Sequence, residues 1–246
     1  MGGTTAVHAG RFPAAPAGAF ARRAGRWHGA AAMLYQPPAF REERPEVLRG
    51  LIRSARLAML VSNGPDGVPD VTHLPLLLVE DGAGASIIGH FARGNPHWRR
   101  LAEAGRAVAV FPGVEAYVSP NWYASKAEHG KVVPTWNYEA VHAEGPVEIV
   151  EDSGRLYDFV SRLTGAHEAS QPRPWSVEDA PAPFVAGQLR GIVGVSLRVE
   201  RLTGKRKLSQ NRAAADRDGA IAGLGASAEP RDRDAAAAMD AAARGG

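Results

Sequence analysis

The sequence predicts a mainly β protein of the α+β type, a β-barrel with helices added at its periphery. Three observations carry this. Short apolar runs recur between tight turns rich in Gly, Asn, Asp and Pro. Val193, Val195, Leu197 and Val199 alternate strictly with polar or small residues, the pattern of a half-buried strand. The regular strand–helix alternation of a parallel sheet is missing, and Gly89, Gly94 and their neighbours do not form the G-x-G-x-x-G of a dinucleotide turn.

The elements follow in order. Pro45 stands at a helix start, where its missing N–H costs little, and Val47, Leu48, Leu51 and Ile52 form a stripe at helical spacing. Residues 57–61 read as a strand and 63–67 as a turn. A second strand is expected over 71–79, with Pro75 implying an edge or a bulge. Residues 80–84 turn, and 86–91 form a third strand. Pro96 opens a short helix carrying Trp98 and Leu101. Strands are expected over 107–111, 115–118 and 141–150. Leu156, Phe159, Val160 and Leu163 mark an amphipathic helix. After a Pro-rich link at 172–183, Phe184, Val185, Leu189 and Ile192 suggest another.

The ends read differently. Residues 1–32 are Ala-, Gly-, Pro- and Arg-rich without periodicity, and are expected to be a disordered extension, or a stretch preceding a natural start at Met33. Residues 33–225 form the globular part. Residues 226–246, Ala-rich, charged and short of apolar anchors, are expected to be a disordered or frayed tail.

Composition excludes several classes. There is no Cys in the 246 residues, so disulfides, thiolate metal sites and cysteine nucleophiles are out, which fits a reducing cytoplasm. No apolar run approaches the ~18 residues of a membrane span. The net charge of +3 sits at the front: the first 32 residues hold four Arg and no acid, so the rest carries 25 basic and 26 acidic residues, a net of −1. The globular part lacks the positive field of non-specific DNA binders. Neither a short-spaced metal-ligand motif nor a G-x-S-x-G nucleophile turn is present.

Four stretches could carry chemistry. Residues 119–138 hold Trp122, Tyr123, Trp136 and Tyr138 beside Lys126, His129, Lys131 and Asn137. Large rings among Lys, His, Ser and Asn suit a planar, charged ligand. Residues 89–96 end a strand, present Arg93 and Asn95 on a turn, and open a helix. This is either a phosphate-binding turn or a solvated Arg next to an ordinary helix cap. Thr72-His73 interrupts an apolar strand, which fits a satisfied core histidine or a strand edge meeting a ring system. Residues 204–212 are basic and amide-rich, either a solvated loop or a contact for an anion or a flavin edge.

Together, Tyr35-Gln36-Pro37-Pro38-Ala39-Phe40-Arg41, Thr72-His73-Leu74-Pro75, the stretch 89–96, the segment 119–138 and Lys207-Leu208-Ser209-Gln210-Asn211-Arg212 resemble the PaiB-type family of FMN-binding negative transcriptional regulators. The resemblance implies an antiparallel Greek-key split β-barrel like that of pyridoxamine-phosphate oxidase, paired as a homodimer with FMN in clefts at the interface. On that likeness His73 and Leu74 lie along the flavin strand. His90, Arg93 and Asn95 lie near the ribityl phosphate. Trp122, Lys126, Trp136 and Asn137 close the cleft, and Lys207, Ser209 and Gln210 approach from the C-terminal side. Arg206 stands where the family pattern has an aromatic. With no evident helix-turn-helix, DNA binding requires a patch formed on dimerisation. Two further readings use the same cleft: a flavin-dependent oxidoreductase, and a haem or deazaflavin protein with His73, His90 or His129 as haem ligands.

Overall fold

The computed structural model describes residues 34–82 and 84–244. The expected extension 1–32 lies outside the described residues. Among them are nine strands: β1 Arg41–Glu42, β2 Ala58–Ser62, β3 Asp70–Leu74, β4 Leu77–Asp81, β5 Gly84–Ala92, β6 Arg106–Val118, β7 Thr135–Val150, β8 Ile192–Arg198 and β9 Arg201–Lys207. Seven helices join them: α1 Pro45–Ser54, α2 His97–Ala104, α3 Ser125–His129, α4 Ser153–Glu168, α5 Ala182–Leu189, α6 Ala214–Gly225 and α7 Pro230–Arg244.

All strand pairs are antiparallel, in the order β3-β2-β6-β7-β8-β5-β4, with β9 on β7 and β1 on β9. The long strand β7 makes this a split barrel. Its residues 138–144 pair with β9, while Val147–Val150 pair with β8. The change of partner falls at Gly145, where a Cβ would lie 1.8 Å from the Arg198 carbonyl oxygen, so only glycine fits the corner. Inside, Leu48 and Ile52 of α1 and Leu101 of α2 pack with Leu60, Leu74, Phe91, Phe111, Val141 and Leu197. These are the positions the helical stripe and strand alternation place on inward faces.

Several elements differ from expectation. The strand expected over 71–79 is two strands, broken at Pro75, and β3 and β4 stand at opposite ends of the pairing path. A proline cannot donate to a ladder, and here it marks the point where the chain leaves one sheet for the other. The runs 107–111 and 115–118 fuse into β6, with a register shift between Pro112 and Glu115. Ile192 opens β8 instead of ending a helix. The loop expected at 204–207 is the end of β9.

The tail is the largest correction. Residues 230–244 are helical, and Ala235, Ala236 and Met239 are buried with Val118, Tyr123, Leu208, Ala220 and Leu224. Alanine is a weak apolar anchor alone, but its small size lets α7 pack closely on α6 and β6, and the burial of Met239 holds it there.

Candidate functional site

Cross-strand register defines a surface that the linear sequence hides. Residues directly opposite on neighbouring strands project from the same face. One row therefore runs His73, Met59, Val110, His142, Thr203 across β3, β2, β6, β7 and β9. The next runs Val71, Val61, Val108, Glu144, Arg201. Leu60, Leu74, Ala109 and Val141 point the other way, into the core with α1 and α2. The outward face thus carries five apolar side chains, and Val71 at its margin is 50% exposed. Glu144 is ion-paired to Arg201 on the same face.

At one edge of that face two distant stretches meet. β3 pairs with β2 along one side only. Asn95 Nδ2 donates to Thr72 Oγ1 (3.2 Å), and Asn95 Oδ1 accepts from the His97 N–H (3.0 Å). His97, 2% exposed, places Nδ1 2.7 Å from Thr72 Oγ1 and Nε2 3.0 Å from Ser62 Oγ. Arg100 reaches back from α2 to pair with Asp70 at the start of β3. Pairing of Leu77 with Ile88 sets His90 beside the Pro75 break. His90 is half-buried, and its Nδ1 has no hydrogen-bond partner. Leu74 is a core residue, whereas His73 is exposed on the outward face.

Arg93 behaves differently from a free phosphate ligand. Its Nε donates to the Arg190 carbonyl (2.9 Å), Nη2 to the Ile192 carbonyl (3.0 Å) and Nη1 to Glu151 (2.6 Å). It ties the end of β5 to the α5–β8 turn and faces a carboxylate. Asn95 is both a cap for α2 and a tie to β3, so its turn role is met.

The aromatic segment divides. Trp122 packs against α6, where a Cβ on Gly223 would lie 2.3 Å from the indole, so that glycine makes the contact possible. Ser125 donates its N–H (2.9 Å) and hydroxyl (2.7 Å) to Asp216 of α6. Lys126 is exposed and donates to Asn121 (2.6 Å). The second half is strand. Trp136, 50% exposed, sits edge-on to Tyr117 with ring centroids 6.1 Å apart and donates to Glu115. Asn137 is buried, and its amide donates to Ser209 Oγ (2.9 Å) and Met239 Sδ (3.3 Å). Lys207 Nζ donates to Thr135 Oγ1 (2.7 Å). Gln210 closes the turn after β9, accepting from the Leu208 N–H (2.7 Å) and donating to the Arg206 carbonyl (2.5 Å). Arg206 is itself ion-paired to Glu139.

The structure therefore makes two groups of the expected residues. His73, Leu74, His90 and Asn95 gather around β3, and Trp136, Asn137, Lys207, Ser209 and Gln210 around the β7–β9 end. Three strands, β2, β6 and β7, separate β3 from β9 in the sheet. Trp122 packs against the cluster that holds Leu208, Leu224 and Met239, beside the second group, and Lys126 is exposed. The sequence reading missed His97, Ser62 and the Asp70–Arg100 pair. Only the placing of His97 just after the helix-opening Pro96 hinted at a role for it.

Burial pushes the imidazoles of His90, His97 and His142 below the ordinary histidine value. The folded protein then binds fewer protons there than the unfolded chain, so this stability is complete above about pH 6.5 and lost as pH falls below it. Hydrogen bonds from Arg100 hold the Asp70 carboxyl low, and those from Ser125 do the same for Asp216. Their contribution is complete above about pH 4 and lost below. Denaturant midpoints measured against pH are expected to fall in two steps, one below about pH 6.5 and one below about pH 4. A single acid transition would contradict the histidine assignment.

Comparison with known proteins places this architecture. Residues 34–201 match the family model described as "Putative FMN-binding domain". The chain is 31% identical over 183 residues to the protease synthase and sporulation protein PAI 2 of Bacillus subtilis, covering 74% of this chain and 85% of that one. It is 32% identical over 211 residues to an uncharacterised protein of Aspergillus fumigatus, covering 72% and 81%. A solved structure of a conserved hypothetical protein from Mycobacterium tuberculosis shares the fold with a TM-score of 0.52 at 18% identity, covering 73% of this chain and 94% of that one. The family match ends within β9, so Lys207, Ser209, Gln210 and helices α6 and α7 lie beyond it. By the extent of the family match and the identity to its relative, the chain belongs to the PaiB-type family of FMN-binding split-barrel proteins.

Proposed function

We propose that this protein is a homodimer that binds FMN in clefts at its subunit interface and acts as a flavin-linked negative transcriptional regulator. The observation that carries the reading is the outward apolar face of β3, β2, β6 and β7. A sheet face bearing Met59, Val61, Val71, Val108 and Val110 is more apolar than a solvated face requires, and a second copy of the same face is a self-complementary partner. The two residue groups supply the other argument. They stand apart within one chain, and pairing two chains brings the β3 edge of one toward the aromatic end of the other.

The donor set fits FMN. The unpaired side of β3 offers backbone groups to a flavin edge, Trp136 and Tyr117 offer ring faces, and Lys207 offers a cation. Bound FMN supplies a reversible redox centre. The chain's own part is to order the interface around it, so that occupancy of the cleft shifts the dimer population that engages DNA.

The absorbance spectrum of the purified protein is the first test. A flavin spectrum, or uptake of added FMN, is expected. A preparation that neither contains nor takes up FMN overturns the cofactor reading, and a Soret band replaces it with haem. Regulation predicts a sequence-selective mobility shift on the protein's own upstream DNA that changes with FMN. Sustained NADPH oxidation without such a shift assigns a flavin-dependent oxidoreductase instead.

A further inference from the structure

Helix α5 has the composition of a buried helix and is not buried. Gln188 is its one polar side chain, and a helix apolar on all sides normally belongs inside a core. Yet Leu189 is its one buried residue, and Phe184 is 58% exposed. Between α5, the start of α4 and the short 3₁₀ turn Val177–Asp179 lies a pocket of about 810 Å³. Its apolar lining includes Leu156, Val177, Val185, Ala186 and Leu189. We propose that this pocket binds an amphipathic monocarboxylate, a single carboxylate on an aliphatic or aryl body. The proposal does not rest on the flavin reading above.

Volume and walls fit a small molecule. Ligand pockets run from roughly 300 to 1,000 Å³ and set a few placed polar groups among apolar walls. Ala180 and Ala182 join Ala186 in the lining, and their short side chains leave the volume open. The walls are tied together without a ligand. Tyr157 Oη donates to Glu178 (2.9 Å), joining α4 to the 3₁₀ turn, and the Asp179 carboxylate accepts from the Ser176 N–H (2.8 Å). Arg93 joins the end of β5 to the carbonyls of Arg190 and Ile192.

Charge selects the head group. Four charged residues line the pocket: Arg93, Glu151, Glu178 and Arg190. Glu151 is paired with Arg93. Glu178 is met by neutral donors: its own backbone N–H, the Tyr157 hydroxyl and Ser176 hold its carboxyl below the ordinary glutamate value. Arg190 differs. It gives one of its five N–H donors to the Ala186 carbonyl (3.2 Å) and forms no ion pair among the described residues. One uncommitted guanidinium beside an apolar cavity matches one carboxylate on an apolar body. A dianion would meet two carboxylates there, and a cation would have to displace the donors that already hold them.

Titration calorimetry on the full chain tests this, with sodium octanoate as the probe and 1-octanol and octylamine as head-group controls. Octanoate is expected to bind saturably, and about tenfold or more tightly than either control. Arg190→Gln should weaken octanoate by about tenfold and leave octanol binding in place. Its fold should survive, because the carbonyl that Arg93 uses belongs to the backbone. Ala186→Phe, which puts a ring into the cavity from an exposed lining position, should abolish binding of both. Arg162→Gln, which removes the same charge from an exposed position of α4 outside the lining, should change neither. Absence of saturable octanoate binding overturns the proposal, as does an octanoate affinity that survives Arg190→Gln or Ala186→Phe. If octanoate does not bind and Phe184→Asp lowers the mass seen in sedimentation, a second copy of this chain covers α5 instead. The flavin spectrum of the same samples decides the FMN reading separately.

Discussion

Val110→Asp is expected to turn the proposed dimer into a monomer and to abolish FMN uptake. Val110 sits in the middle of the outward row, between Met59 of β2 and His142 of β7. Pairing two such faces would take the new carboxylate out of water, which costs several kcal/mol. In the proposed isologous pairing the substitution enters twice. Two penalties of about 2 kcal/mol already weaken association by roughly a thousandfold. The fold of each subunit should survive, since residue 110 points away from the core. The loss of strand preference in going from Val to Asp is about 1 kcal/mol. Sedimentation or light scattering, combined with FMN titration, reads both effects. A Val110→Asp protein that stays dimeric places the interface elsewhere. One that becomes monomeric and still binds FMN places the cofactor within a single subunit.

The second large effect lies in the C-terminal helix. Met239→Ala is expected to destabilise the protein by about 2–5 kcal/mol, the range for a fully buried large apolar side chain replaced by alanine. Met239 is completely buried, and its sulfur accepts from the Asn137 amide. Its loss therefore opens a cavity and takes a partner from the residue that clamps Ser209. Removing residues 229–246 altogether should cost more, because it uncovers Leu224, Val118 and Leu208 as well. A disordered tail would predict no change in denaturant midpoint on either alteration, so the measurement separates the two readings of residues 226–246 directly.

Much of the fold was legible because strand and helix periods are local properties. Alternation over 193–199, the stripe at 47–52 and the turn residues at 63–67 need only their neighbours to be read. The residue types of the site were legible too. Rings beside lysines at 119–138, and Asn95-Pro96 before a helix, announce binding and capping chemistry by composition. Pro75 announced an irregularity, although a period of two could not say that the strand would divide between two sheets.

Composition and local pattern specify an inventory: a cysteine-free, mainly β chain with a neutral body, and stretches whose residues suit a planar anionic ligand. Tertiary structure alone decided which of those residues stand together. Cross-strand register put His73 and His142, 69 positions apart in numbering, in one row. Trp122 packed against α6 while Trp136 met Tyr117, and carbonyls at 190 and 192 engaged Arg93. Burial of Met239 turned an alanine-rich tail into part of the core. The physical reason is common to all four. Register, burial and long-range hydrogen bonding depend on which segments meet after the chain closes into a barrel, and that information is distributed over residues far apart in the sequence.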